Sequence, residues 1–243
     1  MAMDFQSQFP LISCICVTDN RVEMLYKCII SFEQQNYPNK ELVISYPQTD
    51  YKTQQFVQHL LDYRSVPIIG VKRDKNESIG MARNNAIAIA TGVYVCMWDD
   101  DDLYEESRLI VQYTTLNSDG RLFQANVLSQ ILLYHQFNQT AYLSFPSYWA
   151  CTLLCRKDHL VQYPCLDADQ FEYAGILNFL NNNQLLCSIP APSLYISVFH
   201  GRNLIRYSTF LFLVNQSETI PTEISDSIKH HLEWQVQLPV EII

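Results

Sequence analysis

The chain has 243 residues, 48% of them apolar, and a formal net charge of −9 at pH 7. This length and apolar content suit one large α/β domain, or a core domain with an appendage. No apolar stretch approaches 18 residues, the N-terminus lacks a signal-peptide pattern and no basic stripe is present, so we expect a cytosolic protein that neither spans a membrane nor binds nucleic acid.

Strands and helices alternate through the first hundred residues. Apolar runs predict strands at Leu11–Val17, Glu41–Tyr46, Pro67–Val71 and residues 92–98. Apolar residues at three-to-four spacing predict helices at Arg21–Gln35, Thr53–Tyr63 and Ser78–Thr91, the last opened by Ser78. This order indicates a mostly parallel sheet with helices on both faces, whose ligands bind beyond the carboxyl ends of the strands.

The pattern changes after residue 102. Helices are predicted at Glu105–Asn117, at Asp169–Asn181 with Phe171 facing inward, and at Pro221–Trp234. Longer antiparallel strands are predicted at Leu122–Tyr134, Thr140–Phe145 and Trp149–Arg156, and shorter strands at Leu185–Ile189 and Leu194–His200.

Two kinds of cofactor site are improbable on this sequence. The six glycines form neither a GxGxxG nor a GxxxxGK motif, which argues against dinucleotide-dependent oxidoreductases and P-loop NTPases. The eight cysteines include no CxxC pair, so we expect reduced thiols rather than a zinc site or disulfides.

Four consecutive aspartates, Asp99–Asp102, follow the strand predicted at residues 92–98. Two unit charges about 4 Å apart repel by about 4 kcal/mol near a protein surface, and the next basic residue in the chain is Arg108. A divalent cation such as Mg²⁺ or Mn²⁺, which prefers carboxylate oxygens, would relieve this repulsion. The alternative is an exposed acidic turn that caps the next helix. The position at the end of a buried strand favours the cation site.

Several sequence blocks occur in order within residues 10–110. They are Pro10–Arg21, Phe32–Ile44, Asn76–Asn84, Ala90–Gly92 and Trp98–Asp102. Together they resemble the family 2 nucleotide-diphospho-sugar glycosyltransferases. The resemblance implies the GT-A fold, in which a Rossmann-like, mostly parallel sheet carries helices on both faces and a smaller antiparallel region lies on the acceptor side. It also implies inverting sugar transfer from a donor that lies over the strand ends.

By this resemblance, Asp99 and Asp101 take the paired positions of the family's DxD signature. Asp101 is then the principal ligand of Mn²⁺ or Mg²⁺, Asp99 lies near the ribose, and Asp100 or Asp102 assists. Alternate residues of an extended segment share a side, so we expect Asp99 and Asp101 to converge on one ion. That ion would bridge the diphosphate oxygens and neutralise the leaving group.

The resemblance also implies a catalytic base at the start of a helix in the second half of the chain. Asp169 is the first choice, with Asp167 and Glu172 as alternates, although Ala168 stands where the family usually has a glutamate. A base in this position takes the proton of the acceptor hydroxyl as its oxygen attacks the sugar. The alternative interpretation is that Asp167 or Asp169 only caps the helix.

Further residues are implied as donor contacts. Phe199–Asn203 resembles a late family motif whose histidine reaches the metal or the diphosphate, which makes His200 a metal ligand and Arg202 a bidentate phosphate ligand. Arg83 would support the nucleotide pocket, and its alternative role is an ordinary ion pair.

The segment Ser45–Asp50 departs from the family, because it is one residue shorter than the usual Asp-Asp-Gly-Ser run and lacks its acidic pair and glycine. Tyr46 is predicted to stack on the nucleotide base and Gln48 to bond the edge of the base. The other predicted contacts of the nucleotide are Thr18, Asn20 and Asp50.

These expectations combine into one predicted function. The chain is a metal-dependent inverting glycosyltransferase that moves a sugar from a nucleotide-diphosphate donor, a UDP-sugar by first choice, to a hydroxyl of a glycan or lipid-linked saccharide. Residues 1–102 form the donor-binding half and residues 103–205 the acceptor-binding and catalytic half. Residues 206–243 form an extension that packs on the domain or on a partner.

Two other functions are alternatives to a glycosyltransferase, and one apolar segment is a candidate contact surface. A catalytically silent relative would keep the fold and bind a saccharide or nucleotide, whereas a sugar-phosphate nucleotidyltransferase normally needs a glycine-rich loop that Thr18–Arg21 lacks. The apolar run Thr209–Val214 and Trp234 are candidates for contact with the inner face of a membrane or with the second subunit of a homodimer. Packing within the domain is the commoner outcome for such a short run.

Overall fold

A computed structural model of the chain describes residues 9–63, 67–116 and 123–234. Its strands are β1 (Ile12–Val17), β2 (Lys40–Pro47), β3 (Ile68–Arg73), β4 (Tyr94–Met97), β5 (Leu103–Tyr104), β6 (Ala125–Leu128), β7 (Leu132–His135), β8 (Thr140–Leu143), β9 (Trp149–Arg156), β10 (Leu186–Ile189), β11 (Tyr195–Phe199) and β12 (Glu218–Thr219). Its α-helices are α1 (Val22–Glu33), α2 (Tyr51–Tyr63), α3 (Ile79–Ile89), α4 (Arg108–Thr115), α5 (Lys157–Gln162), α6 (Ala174–Asn182), α7 (Tyr207–Asn215) and α8 (Thr222–Trp234).

The larger sheet has seven strands in the order β10-β6-β9-β4-β1-β2-β3. The pairs β1–β2, β1–β4 and β2–β3 are parallel, and β9 joins β4 and β6 in antiparallel pairing. Alternate residues of a strand face opposite sides of a sheet. Cys14 accordingly lies in a core with Leu25 of α1, whereas Ile15 lies in a second core with Ala86 of α3. The predicted parallel sheet with helices on both faces is confirmed.

The smaller sheet has five strands in the order β12-β8-β7-β11-β5. The β7–β8, β8–β12 and β5–β11 pairs are antiparallel, whereas β7 and β11 run parallel. Because β5 follows the aspartates directly and β11 pairs with it, this sheet closes over one side of the acidic cluster.

The strand predicted at Leu122–Tyr134 is wrong as a single element. Its described part is two strands, β6 in the larger sheet and β7 in the smaller sheet. The intervening residues bond elsewhere, since the amide of Ser129 donates to the carbonyl of Ile189 and the amide of Ile131 donates to Ser144 Oγ. A continuous apolar pattern cannot show that a chain changes sheets. Leu122 lies outside the described residues, as does Asn117 at the end of a predicted helix.

The helix predicted at Asp169–Asn181 begins five residues later, as α6. Phe171 was expected to face inward, but it is 83% exposed with a φ of 59°. The preceding loop is held in another conformation by its own backbone, because the amide of Leu166 donates to the carbonyl of Glu172. This loop carries Asp169, the predicted base.

Helices α7 and α8 pack on the smaller sheet. Phe210 stacks on Phe199 with ring centroids 4.4 Å apart, and Ile228 is buried in a core with Tyr134. The run Thr209–Val214 belongs to α7, and the side chain of Trp234 lies outside the described part. Within residues 9–63, 67–116 and 123–234, no helix is long and apolar enough to cross a membrane.

Candidate active site

The acidic cluster lies at the carboxyl end of β4, in the middle of the larger sheet. The side chains of Asp100 and Asp102 are buried, whereas those of Asp99 and Asp101 keep 24% and 14% exposure. The backbone turns at Asp100 and Asp101, so the extended segment in which Asp99 and Asp101 were expected to share a side does not form. Asp99 contacts Arg83, whereas Asp101 contacts Arg21 and His200, and the four carboxylates therefore do not form one uniform patch.

Asp99 is held by a buried arginine of α3. Arg83 Nη2 donates to Asp99 Oδ1 at 2.7 Å, and Arg83 Nη1 donates to Glu172 Oε1. The guanidinium also lies 4.8 Å from the ring centroid of Tyr173. Burial raises the pKa of Glu172, and the charge of Arg83 opposes that shift. Arg83 thus links Asp99 to Glu172, one of the two alternates for the predicted base, through an ion pair at each end.

Asp101 has a different set of neighbours. Its Oδ2 lies 3.1 Å from His200 Nε2, 2.9 Å from Arg21 Nη1 and 3.3 Å from Asn203 Nδ2. Burial acts to raise the pKa of Asp101, but the hydrogen bond with His200 and the charge of Arg21 together lower it. Asp101 is therefore the member of the cluster whose anionic form is best supported.

The two buried aspartates bond to hydroxyl groups. Thr18 Oγ1 donates to Asp100 Oδ2 at 2.6 Å, and the Tyr195 hydroxyl donates to Asp102 Oδ2. Burial, together with the charge of Asp101, raises the pKa of Asp100 to about 7. The same causes raise the pKa of Asp102 well above its usual range. A proton on either carboxyl reduces the repulsion within the quartet.

Two cavities meet at the cluster. One, of about 430 Å³, is lined by Asp99–Asp102 and, from the second half of the chain, by Asp169–Tyr173. The other, of about 420 Å³, is lined by Asp100–Asp102 with His200 and Arg202. The fold thus brings three predicted metal ligands, Asp99, Asp101 and Asp102, to the wall of the same cavity as the predicted base Asp169. His200, the fourth predicted ligand, lines only the other cavity.

Asp167 and Asp169 both contact the N-terminus of α3 rather than that of α6. Asp169 Oδ1 accepts from the amide of Ile79 at 3.0 Å, and Asp167 Oδ1 accepts from Ser78 Oγ at 2.7 Å. These carboxylates complete the capping of α3, where the first amides have no partner within the helix. Asp169 also lines the larger cavity, and Asp167 does not.

The predicted nucleotide contacts are placed unevenly. Asp50 is buried, caps α2 through the amide of Thr53 and accepts from the amide of Asn20 at 2.7 Å. Tyr46 is 4% exposed and packs in the core, so its ring does not face a ligand here. Gln48 is exposed. Thr18 bonds to the acidic cluster, and Arg202 is exposed beside His200.

Four residues at the site were not predicted from the sequence. Arg21 and Asn203 contact Asp101, Tyr195 contacts both Asp99 and Asp102, and Arg108 lies under the cluster within 5.1 Å of the Trp98, Tyr104 and Tyr195 ring centroids. Arg21 and Asn203 are the last residues of two sequence blocks that resemble the family. Their place in those blocks is a sequence signal that could have identified them. Tyr195 and Arg108 come from unrelated positions, and only the fold brings them here.

A divalent ion would find two ligands of suitable chemistry at Asp101 Oδ2 and His200 Nε2. A carboxylate with an imidazole suits Mn²⁺. Within the described part of the chain, no group of three or more His, Cys, Asp and Glu side chains is arranged to hold a metal. Mg²⁺-type sites commonly have one or two carboxylates, with substrate phosphates and water completing the shell, so the donor set fits an ion that binds together with a diphosphate.

Solved structures with the same architecture show that this chain has the GT-A fold. Residues 1–349 of S. aureus TarS align with a TM-score of 0.59 at 13% identity, covering 92% of this chain and 71% of that one. The mannosyltransferase PcManGT from Pyrobaculum calidifontis, solved with GDP-Man and Mn²⁺, aligns with a TM-score of 0.59 at 15% identity, covering 93% and 72%. Identities this low establish the fold alone.

The chain belongs to glycosyltransferase family 2, because residues 13–148 match the sequence model described as Glycosyl transferase family 2. WfaP of Escherichia coli, named as a UDP-Glc:alpha-D-GlcNAc-diphosphoundecaprenol beta-1,3-glucosyltransferase, is 25% identical over 91% of this chain and 88% of its own. WcaA of Escherichia coli (strain K12), a colanic acid biosynthesis glycosyl transferase by name, is 36% identical over 132 residues. That match covers 50% of this chain and 46% of WcaA, so the chain spans about half of that relative.

Proposed function

We propose that this protein is an inverting glycosyltransferase that moves a sugar from a nucleotide-diphosphate donor to a hydroxyl of a glycan or lipid-linked saccharide. One observation carries the proposal. The acidic cluster at the end of β4 and Asp169 line the same cavity of about 430 Å³. This cavity has room for a sugar between the carboxylates that would bind the donor and the carboxylate of Asp169, which would act as the base. Family membership supports the same reaction class.

The donor side of the reaction belongs to the residues around Asp101. Asp101 and His200 would hold Mn²⁺ or Mg²⁺, which when bound supplies positive charge to the diphosphate leaving group. Asp99, with Asp100 or Asp102, would supply the other carboxylates that face the metal and the donor. Arg202, which is exposed next to His200, would bind a phosphate oxygen through its guanidinium. Thr18, Asn20 and Asp50 lie at the ends of the adjoining strands and remain the proposed contacts of the nucleoside.

A UDP-sugar is the proposed donor. This proposal is supported by the name of WfaP, which begins with UDP-Glc, and by the solved complex of TarS with UDP-GlcNAc. PcManGT was solved with GDP-Man, so a guanine nucleotide is the alternative that a binding assay must include. The name of WfaP also contains a diphosphoundecaprenol acceptor, which supports a lipid-linked acceptor.

The acceptor hydroxyl needs a base, and Asp169 is the proposed one. Its Oδ1 is fixed by the amide of Ile79, which holds the carboxylate in one orientation at the cavity wall. Asp169 would take the proton as the acceptor oxygen attacks the anomeric carbon from the side opposite the diphosphate. Glu172 is less suited to this role, because its carboxylate is buried in an ion pair with Arg83.

A catalytically silent binding protein is the second candidate. The observation in its favour is that Arg21, Arg83 and His200 already pair with Asp99 and Asp101, and that Tyr46 is buried. Such a protein would bind a donor or saccharide without turnover.

Titration calorimetry separates these functions. Folded protein with Mn²⁺ is titrated with UDP-, GDP-, CMP- and dTDP-sugars, and we expect binding of at least one of them. Asp101→Asn should weaken that binding by about tenfold or more, since it removes a charged ligand. Asp158→Asn, on α5 and outside both cavities, is the control. Failure of the folded wild type to bind any donor defeats the transferase, and binding without transfer to any hydroxyl supports the silent protein.

A further inference from the structure

An exposed apolar surface borders the larger cavity. Five large apolar side chains are between 36% and 68% exposed: Phe137, Leu204, Tyr207, Leu211 and Phe212. Together with Arg202 and Arg206 they form what we call the α7 patch. Scattered single apolar residues on a surface need no explanation, but a contiguous group marks an interaction site.

The α7 patch is contiguous although Phe137 comes from the β7–β8 turn. The ring of His135 lies 5.9 Å from the ring of Phe137 and 6.0 Å from the ring of Tyr207. Phe137 also packs on Gly201, whose Cβ position would be 3.1 Å from that ring. The turn and the start of α7 therefore present one surface.

The helix α7 has two distinct apolar faces. Phe210 and Leu213 line the larger cavity. Leu211 lies one turn beyond Tyr207, and the adjacent Phe212 is also exposed. The inward face is explained by packing. Of the outward side chains, Tyr207 packs on His135 and Phe199, whereas Leu211 and Phe212 remain 36% and 62% exposed.

The charge of the α7 patch is opposite to that of the whole chain. Residues 173–217 contain Arg202 and Arg206 and no aspartate or glutamate, in a protein of net charge −9. Both arginines are exposed, and neither forms an ion pair with any residue that the structure describes. The α7 patch thus combines apolar side chains with positive charge. Arg206 lies outside both cavities of the acidic cluster, whereas Arg202 also lines the smaller cavity with Asp100–Asp102.

We infer that the α7 patch docks on the surface of an anionic phospholipid bilayer. Apolar side chains of an interfacial helix enter the boundary between headgroups and acyl chains, and arginines at its edge meet lipid phosphates. A second copy of this chain fits less well. In a symmetric dimer the same face meets itself, which would bring two sets of unpaired arginines together.

Leu204 belongs both to the α7 patch and to the wall of the larger cavity. A bilayer on the patch would therefore lie at the cavity mouth, where a lipid-linked hydroxyl enters under the proposed function. Docking itself needs no donor and no turnover, so it goes beyond that function and is tested separately from it.

Vesicle flotation of the full chain, without nucleotide sugar, tests the inference. Vesicles of phosphatidylcholine alone are compared with vesicles of phosphatidylcholine and phosphatidylglycerol in equal amounts. We expect the anionic vesicles to bind about fivefold more protein or better, and high salt to reduce that excess, because the arginines act through a screened field.

Two double variants probe the α7 patch. Arg206→Glu with Tyr207→Ser, and Leu211→Ser with Phe212→Ser, should each lower the bound fraction about fivefold or more. The matched control is Tyr51→Ser with Lys52→Glu, an exposed aromatic and basic pair at the start of α2, which should bind like the wild type. Circular dichroism checks the folding of each variant, and Phe212→Ser alone replaces a pair that misfolds.

Three results would overturn the inference. They are absence of wild-type flotation with anionic vesicles, equal flotation of the wild type and the patch variants, and an equal loss in the Tyr51 and Lys52 control. A wild-type dimer in light scattering that the patch variants dissociate, with no flotation, would assign this surface to a second copy instead. None of these outcomes bears on donor binding, which calorimetry tests separately.

Discussion

Arg83 of α3 is buried and joins two parts of the candidate site, unlike a solvent-exposed arginine on a helix surface. It is 7% exposed and pairs with Asp99 and Glu172, which lie in different halves of the chain. Removing one partner of a buried ion pair leaves uncompensated charge behind, and that charge cannot be solvated. Arg83 therefore ties together two parts of the wall of the larger cavity, and it makes no ion pair with Asp101 among those the described residues show.

Arg83→Met should lower the free energy of unfolding by about 3 kcal/mol, because it leaves the buried Glu172 and the partly exposed Asp99 without a counter-charge. Adding Glu172→Gln should recover part of the loss, as expected for residues that interact directly. Urea denaturation at neutral pH measures both. Arg156→Met is the control, since its pair with Asp158 is exposed and worth under about 1 kcal/mol. Equal losses at Arg83 and Arg156 would contradict the prediction.

Asp167 and Asp169 are a natural pair for testing the base. Both are exposed and both contact the start of α3, but only Asp169 lines the larger cavity. Asp169→Asn should lower kcat about a hundredfold or more while donor affinity stays unchanged, because only proton removal is lost. Asp167→Asn should keep most of the activity. The reverse ranking in a transfer assay would move the base to Asp167, and full activity in both would return the role to Glu172.

At the scale of elements, the contact between α3 and the 166–169 loop positions the proposed base, Asp169. The amide of Gly80 donates to the carbonyl of Ala168 at 3.0 Å. A Cβ at Gly80 would overlap the carbonyl oxygen of Leu166. This approach requires glycine for space rather than for its backbone angles. The helix start and the loop that carries Asp169 are thus positioned by each other.

Gly80→Ala should force this loop away from α3, lowering both the melting temperature and kcat. A backbone clash of this kind costs about 1 to 3 kcal/mol, or several degrees in a domain of this size. Gly175→Ala on α6 is the matched control, because its Cβ would meet only Leu166 Cδ2 at 3.9 Å. That change should be neutral or raise stability by up to about 1 kcal/mol. Thermal unfolding followed by circular dichroism compares the two, and equal destabilisation would show that Gly80 has no special packing role.

At the scale of the whole molecule, the two sheets and α7 enclose the larger cavity together. The larger sheet supplies the aspartates, the smaller sheet supplies Tyr195, and α7 supplies Phe210. Helix α8 supports this arrangement from outside, since Ser225 Oγ accepts from the amide of Ala141 at 3.0 Å. We therefore propose that residues 206–234 are part of the functional domain rather than a detachable extension.

Two isoleucines of α8 test that proposal. Ile228 is 5% exposed in a core with Tyr134 and Val198, whereas Ile224 is 42% exposed. Ile228→Ala should lower the free energy of unfolding by about 2 to 4 kcal/mol through lost burial and a new cavity. Ile224→Ala should change it by under about 0.5 kcal/mol. Similar small effects in urea denaturation would mean that α8 does not belong to the cooperative fold.

The sequence by itself determined the fold class, the family and the location of the acidic cluster. Hydrophobic periodicity and strand-to-helix order are local, so they survive in the sequence without knowledge of distant contacts. For the same reason the N-cap at Ser78 was readable, and its side chain accepts from the amide of Met81.

Only the tertiary structure decided which distant residues meet. It split the apolar run of residues 125–135 between two sheets, moved the start of α6 past the loop that carries Asp169, and paired Arg83 with Glu172 across 89 positions. It also placed Tyr195 and Arg108 at the cluster. These outcomes depend on hydrogen bonds and ion pairs between residues far apart in the chain, and the energy of such contacts has no periodic trace in the sequence.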